Sequence, residues 1–198
     1  MIPVNNIQLM NLPEPKFIIK DHLSEGLGIL AGPPKIGKTN CALSVGLDYA
    51  LNNPVLGKLI PNANRSIYIS CEETLNSIYF KVDMLLENRQ LDRQELIDFF
   101  IGDYDEMKSD LAESKTILMD MIADYIDQGC KLIIVDPLVK FLSSKNLGIT
   151  SFVPDYQFLS DIQNLAIANS VCVLFIHHTK KSKTGDIFDD ILGSRGVT

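Results

Sequence analysis

The sequence contains no run of about 18 apolar residues, so no membrane-spanning helix is expected. Its first residues lack a basic segment followed by an apolar run, so no signal peptide is expected either. Basic residues are outnumbered: 18 Lys and Arg stand against 25 Asp and Glu, a net charge of −7. That balance argues against a surface coated for nucleic acid and leaves room only for a local basic site. Arginine occurs four times, at 65, 89, 93 and 195, too sparsely for the arginine-rich lid of a small-molecule kinase. No [NT]-K-x-D segment occurs, which weakens a guanine-nucleotide reading. The four cysteines (41, 71, 130 and 172) form no C-x-x-C, and histidines number three. The cysteines read as reduced, mostly buried thiols of a cytoplasmic protein, and no zinc site is expected. Neither internal repeats nor low-complexity tracts stand out, and 198 residues at 46% hydrophobic content suit a single domain with a sizeable core.

One stretch organises what is present. Gly32-Pro33-Pro34-Lys35-Ile36-Gly37-Lys38-Thr39 fits G-x-x-x-x-G-K-[ST], the phosphate loop, at every specified position. Glycines at 32 and 37 let the backbone curl so that N–H groups point at phosphate oxygens. Lys38 supplies a point charge to the β- and γ-phosphates, and the Thr39 hydroxyl suits Mg²⁺. Leu27 to Ala31 reads as a buried strand entering the loop. Asn40 to Leu51 reads as a helix leaving it, its positive end toward the anion.

Around this loop the chain alternates strands and helices. Residues 1 to 16, marked by Pro3, Pro13 and Pro15, read as an extended arm. Phe17-Ile18-Ile19 is a short apolar run suited to edge packing, or to a place near the base. Ser66 to Ser70 is a second strand ending on Cys71-Glu72-Glu73, followed by a helical pattern from Thr74 to Asn88. Leu96 to Ile101 reads as a third strand, 103 to 116 as an acidic surface loop, and Ile117 to Ile126 as a helix closed by Gly129. Leu132 to Val135 is a fourth strand, capped by Asp136. Residues 137 to 153 read as a long loop, Pro154 to Asn169 as a helix, and Val171 to Ile176 as a fifth strand ending on His177-His178-Thr179. Lys180 to Asp190 is a polar loop holding three lysines and three aspartates. The alternation predicts an α/β fold: a mostly parallel central sheet flanked by helices in three layers.

Hydrolysis of a nucleoside triphosphate needs a cradle, a metal, a group that orients water and neutralisation of the transferred phosphate. Gly32 to Thr39, with Asn40, supply the cradle. Asp136, at the end of an apolar strand that follows a phosphate loop, matches the second nucleotide motif, the Walker B pattern, where a carboxylate holds Mg²⁺ through its water shell. Glu72 is the candidate water-orienting base and Glu73 the alternative; either could instead serve as the negative charge opening the next helix. His178, at a strand tip, is suited to donate a hydrogen bond to the γ-phosphate; the alternative is a pair of exposed loop histidines. The lysines at 180, 181 and 183 suit a polyanion, and the aspartates at 186, 189 and 190 oppose it.

Taken together, GPPKIGKT, YISCEE, LIIVDPL, FIHHTKK and LGSRG resemble the RepA-type hexameric helicase ATPases, a branch of the RecA-like and DnaB-like class. The resemblance runs from about residue 15 nearly to the last residue. It implies a RecA-like fold, ATP with Mg²⁺ at subunit interfaces of a homohexameric ring, and single-stranded DNA in a central channel lined by 137 to 153 and 179 to 191. By position it makes Glu72 the catalytic glutamate, Asp136 the Walker B aspartate and His178 the phosphate sensor. Lys81 stands where that family is expected to carry an arginine, and lysine is a poorer bidentate clamp. The resemblance also places the closing strands and the arginine finger beyond Thr198, which leaves Arg195 without a clear part.

Overall fold

The computed structural model describes residues 16–58, 65–103, 111–142 and 152–179. A two-stranded antiparallel hairpin, β1 (Phe17–Ile19) and β2 (Leu23–Ser24), precedes a five-stranded sheet. That sheet comprises β3 (Gly26–Gly32), β4 (Arg65–Ser70), β5 (Phe99–Asp103), β6 (Cys130–Asp136) and β7 (Cys172–His178). Its order is β3-β7-β6-β4-β5, and every neighbouring pair is parallel. Among the described residues, four helices connect the strands: α1 (Lys38–Ala50), α2 (Leu75–Arg89), α3 (Leu111–Asp127) and α4 (Phe152–Ala168).

The layers follow from strand order and handedness. The chain steps in one direction from β3 to β4 and on to β5, then reverses to β6 and β7. Right-handed crossovers therefore put α1 and α2 on one face and α3 and α4 on the other. Two hydrophobic clusters record this. Tyr68, Ile134 and Leu174 pack with Leu43 and Leu47 of α1 and with Ile78 and Val82 of α2. Their strand neighbours Ile67, Ile133 and Val173 pack with Leu118 and Ile122 of α3 and with Phe158 and Ile162 of α4. Consecutive strand residues serve opposite faces, and both faces are covered, which is why these strands are apolar throughout.

α1 lies close on the sheet at Gly46. A Cβ there would sit 2.9 Å from the Phe99 ring, and the Ser66 hydroxyl donates to the Gly46 carbonyl at 2.7 Å. Arg89 of α2 grips Asp48 of α1 from Nε (3.0 Å) and Nη2 (2.8 Å), fastening the two helices together. Ile18 and Ile19 of the hairpin are buried in the same cluster, whereas Phe17 is exposed.

Most boundaries fall within two residues of the sequence reading, and three departures are larger. The third strand runs 99–103 rather than 96–101, because Arg93–Glu95 form a 3-10 turn and Asp98 binds Arg65, while its carbonyl accepts from Ser66 N–H. The helix expected from 117 begins at Leu111, where Ser114, Leu118 and Ile122 continue one buried stripe backwards and Glu113 suits the positive helix end. The segment after Asp136 is not a plain loop: Leu138–Phe141 form a 3-10 turn that buries Leu138 and Phe141. The arm up to residue 15, most of the 137–153 segment, the 180–190 loop and Arg195 lie outside the described residues.

Candidate nucleotide site

The phosphate-loop residues cluster at the C-terminal edge of the sheet, where the chain leaves β3. Left-handed backbone occurs at Gly37 (φ 90°) and at Lys35 (φ 66°). Turns of this kind line up successive N–H groups as an anion nest. Gly32 does different work from Gly37. It ends β3 without a positive φ, and a Cβ there would sit 2.7 Å from the Ile36 side chain and 3.6 Å from that of Lys38. The Ile36 atom is the far end of an exposed side chain that can turn aside, so Gly37, with its positive φ, is the stricter requirement.

α1 then starts at Lys38 with Gly37 as its N-cap. No side chain caps it and no acidic residue stands in its first turn. Its first amides and the positive end of its dipole are thereby suited to an anion. Pro33, Pro34, Lys35, Ile36, Gly37 and Asn40 are exposed, whereas Lys38 is buried. The Lys38 ammonium donates to the carbonyls of Gly32 (2.8 Å) and Pro33 (2.7 Å). Burial lowers its pKa, and the Asp136 carboxylate opposes that shift.

Parallel pairing brings the remaining groups to the loop. Gly32 of β3 is in register with His178 of β7, and Thr179 N–H donates to the Gly32 carbonyl at 3.0 Å. Ser70 of β4 is in register with Asp136 of β6, and Cys71 N–H donates to the Asp136 carbonyl at 2.8 Å, which carries Glu72 to the same edge. Across 97 residues of sequence, the Thr39 hydroxyl donates to Asp136 Oδ2 at 2.7 Å. A cavity of about 380 Å³ opens here. Pro34, Lys35, Thr39, Tyr68, Ser70, Glu72, Glu73, Asp136 and His178 line it.

The two adjacent glutamates are held differently. Glu73 accepts from Ser77 Oγ (2.6 Å) and from the Lys81 ammonium. Burial acts to raise its pKa, but the hydrogen bonds from Lys81 and Ser77 and the lysine charge prevail and lower it. Glu72 is exposed at the cavity, and no hydrogen bond holds its carboxylate among the described residues. The histidines are not a pair of exposed loop side chains. Both are strand residues; His177 is buried, and His178 Nδ1 is a buried atom without a hydrogen-bond partner among the described residues.

Tyr68 is the residue that sequence reasoning missed. Its hydroxyl donates to Asp136 Oδ2 at 2.6 Å. Burial first, and then the Asp136 and Glu73 carboxylates, push its pKa far up, so the phenol keeps its proton. Alternation puts residues 68 and 70 on one face of β4, which was the available signal, but the partner was not readable without the β4–β6 register.

Among the described residues, no group of three or more His, Cys, Asp or Glu side chains is arranged to hold a metal ion. Thr39 and Asp136 nonetheless fit Mg²⁺, which is usually bound through one or two protein ligands plus water and phosphate oxygens. No helix among the described residues is long and apolar enough to cross a membrane.

A parallel sheet with a phosphate loop after its edge strand, and a carboxylate facing that loop from a nearby strand, is the core of a RecA-like P-loop ATPase. The chain belongs to the AAA_25 family of AAA domains, whose model matches residues 3–184. The fold is similar to that in the crystal structure of the RadB recombinase, with a TM-score of 0.53 and 18% identity. That similarity covers 82% of this chain, which spans 65% of the recombinase chain. No curated protein matches the sequence.

Proposed function

We propose that this chain is the ATP-binding and ATP-hydrolysing core of a motor ATPase of the RepA helicase type, acting on DNA in plasmid or phage replication. The observation that carries the reading is the Thr39–Asp136 hydrogen bond, which joins the phosphate loop to the strand-end carboxylate beside the cavity. Gly32 to Thr39, with Asn40, form the cradle. Lys38 exchanges its two carbonyl partners for phosphate oxygens, and Thr39 and Asp136 hold Mg²⁺. The metal, when bound, neutralises charge on the β- and γ-phosphates. Glu72 orients the attacking water, since its carboxylate lies open at the cavity whereas that of Glu73 is engaged by Lys81 and Ser77. His178 senses the γ-phosphate from beside Gly32.

The three arginines among the described residues are each occupied within the chain: Arg65 with Asp98, Arg89 with Asp48 and Arg93 with Asp83. Completion of the site by a neighbouring copy in a homohexameric ring, with single-stranded DNA in its channel, follows from the RepA likeness. The test is ATP hydrolysis against protein concentration, with and without single-stranded DNA. A rate per subunit that rises with both supports a DNA-driven ring. Hydrolysis indifferent to DNA replaces this reading with a RecA-fold regulatory or assembly ATPase, which the acidic charge balance would suit.

A further inference from the structure

We propose that Tyr68 is a positioning residue for magnesium: its hydroxyl fixes the Asp136 carboxylate so that Thr39 and Asp136 receive the metal together. The inference deepens the nucleotide-site reading above and rests on it. Tyr68 reaches Asp136 because β4 and β6 are parallel neighbours, with Tyr68 opposite Ile134 and Ser70 opposite Asp136. Residues 68, 134 and 136 thus share the sheet face turned toward α1, the helix that carries Thr39. From that face the phenol runs along the sheet to the carboxylate.

The hydroxyl is the informative part of this side chain. Phenylalanine would fill nearly the same volume in the cluster with Leu43 and Ile134. Tyr68 is 1% exposed and Asp136 7%, so the bond between them is shielded from water. A buried phenol needs a partner, and here that partner is the strand-end carboxylate itself. Both donors fall on the same oxygen: Tyr68 at 2.6 Å and Thr39 at 2.7 Å meet on Oδ2. Two donors on one oxygen set the rotation of the carboxyl group and commit the Thr39 proton to Asp136. The Thr39 oxygen lone pairs are then free for a cation. Partners that orient a ligand in this way typically govern metal affinity by about 10- to 100-fold.

With phenylalanine at 68, Oδ2 keeps only the Thr39 proton, and the carboxylate can turn within its slot. Nucleotide contacts made by the loop backbone and Lys38 should stay in place, because the Tyr68 hydroxyl is engaged by Asp136, with the Thr39 hydroxyl beside it. The loss should therefore fall on the metal-dependent part of binding.

The experiment is calorimetric titration of ATP into the full chain, with Mg²⁺ varied and with Mg²⁺ chelated, on wild type, Tyr68→Phe, Asp136→Asn and the double variant. In Tyr68→Phe, metal-free ATP affinity should stay within about twofold while the Mg²⁺ concentration for half-maximal enhancement rises about tenfold. Turnover at saturating Mg²⁺ should recover most of its wild-type value, separating metal affinity from kcat. In the Asp136→Asn background the added Tyr68→Phe change should do nothing more, because Tyr68 acts through that carboxylate. An unchanged Mg²⁺ requirement in Tyr68→Phe, equal losses with and without metal, or additive effects in the double variant would each overturn the proposal. A wild-type chain that binds no ATP removes the nucleotide-site reading itself and this proposal with it. Normal wild-type binding beside an unaffected Tyr68→Phe removes this proposal alone.

Discussion

Glu72 and Glu73 are adjacent, identical in chemistry and both at the cavity, yet the structure separates what each should do when changed to glutamine. Glu73 has two side-chain partners, Lys81 and Ser77, eight and four residues on in α2, and so ties the strand-end turn to that helix. Its side chain is 33% exposed and that of Lys81 27%, so the ion pair is partly screened. Discounted for that exposure, loss of the charge should cost about 1 kcal/mol, a fall in Tm of about 2–4 °C for a domain of this size. Glu72, exposed and without such partners, should change stability by less than about 0.5 kcal/mol.

Catalysis should divide the other way. Removing a water-orienting carboxylate typically costs on the order of 10²-fold or more, so Glu72→Gln should retain ATP affinity and lose hydrolysis. Glu73→Gln should keep turnover within about threefold at temperatures where it is folded, since its effect acts through stability. Thermal melts and single-turnover hydrolysis on the two variants make the test. The pH dependence adds a check. The folded-state pKa of Glu73 lies below its ordinary 4.5, so its stabilisation is complete above that value and is lost as pH falls through the lower folded value. The wild-type advantage over Glu73→Gln should be full at neutral pH and shrink on acidification below about pH 4.5. If Glu73→Gln abolishes hydrolysis with an unchanged Tm while Glu72→Gln turns over normally, the reasoning from occupied and open carboxylates is wrong.

Lys38→Ala should abolish ATP binding in a titration, because the ammonium that now bridges Gly32 and Pro33 is the charge proposed to meet the phosphates; wild-type affinity would refute the assignment. Gly37→Ala places a Cβ on a residue at φ 90°, costing about 1–2 kcal/mol in a denaturant melt and reshaping the loop enough to weaken ATP binding at least tenfold. Gly46→Leu should lower stability by about 1–3 kcal/mol, since even a Cβ would sit 2.9 Å from the Phe99 ring; ATP affinity per folded molecule should not change. Arg89→Ala leaves the half-buried Asp48 carboxylate without its clamp and should cost about 2 kcal/mol, with Arg89→Lys intermediate because lysine cannot make the paired contact. Equal melts for wild type and Arg89→Ala would refute that account.

What could be read from the sequence was local, and what could not was a matter of register. The phosphate loop is written within eight consecutive residues and needed no partner to be recognised. An apolar strand running into Asp136 is a common pattern that gained its meaning from following that loop in the sequence. Strand alternation with helices sufficed for a parallel sheet, because only long crossovers join parallel strands. The errors lie where a distant contact decides a local choice. Leu96 and Ile97 are as apolar as the strand that follows, but Ser66 pairs with Phe99 and Arg65 holds Asp98, and these contacts set where the strand begins. Ser114 does not look like a core residue, and the stripe it shares with Leu118 and Ile122 appears only once α3 lies against the sheet. Tyr68 follows the same pattern. In sequence it is one aromatic residue in a strand of apolar neighbours, where an aromatic is ordinary packing. Its hydroxyl gains meaning only from an aspartate 68 residues later, brought alongside by two paired strands. Within the site, then, the groups proposed to meet nucleotide directly belong to short patterns. The groups that hold them in place are assembled by topology, and these are the ones whose substitution separates metal affinity, stability and turnover.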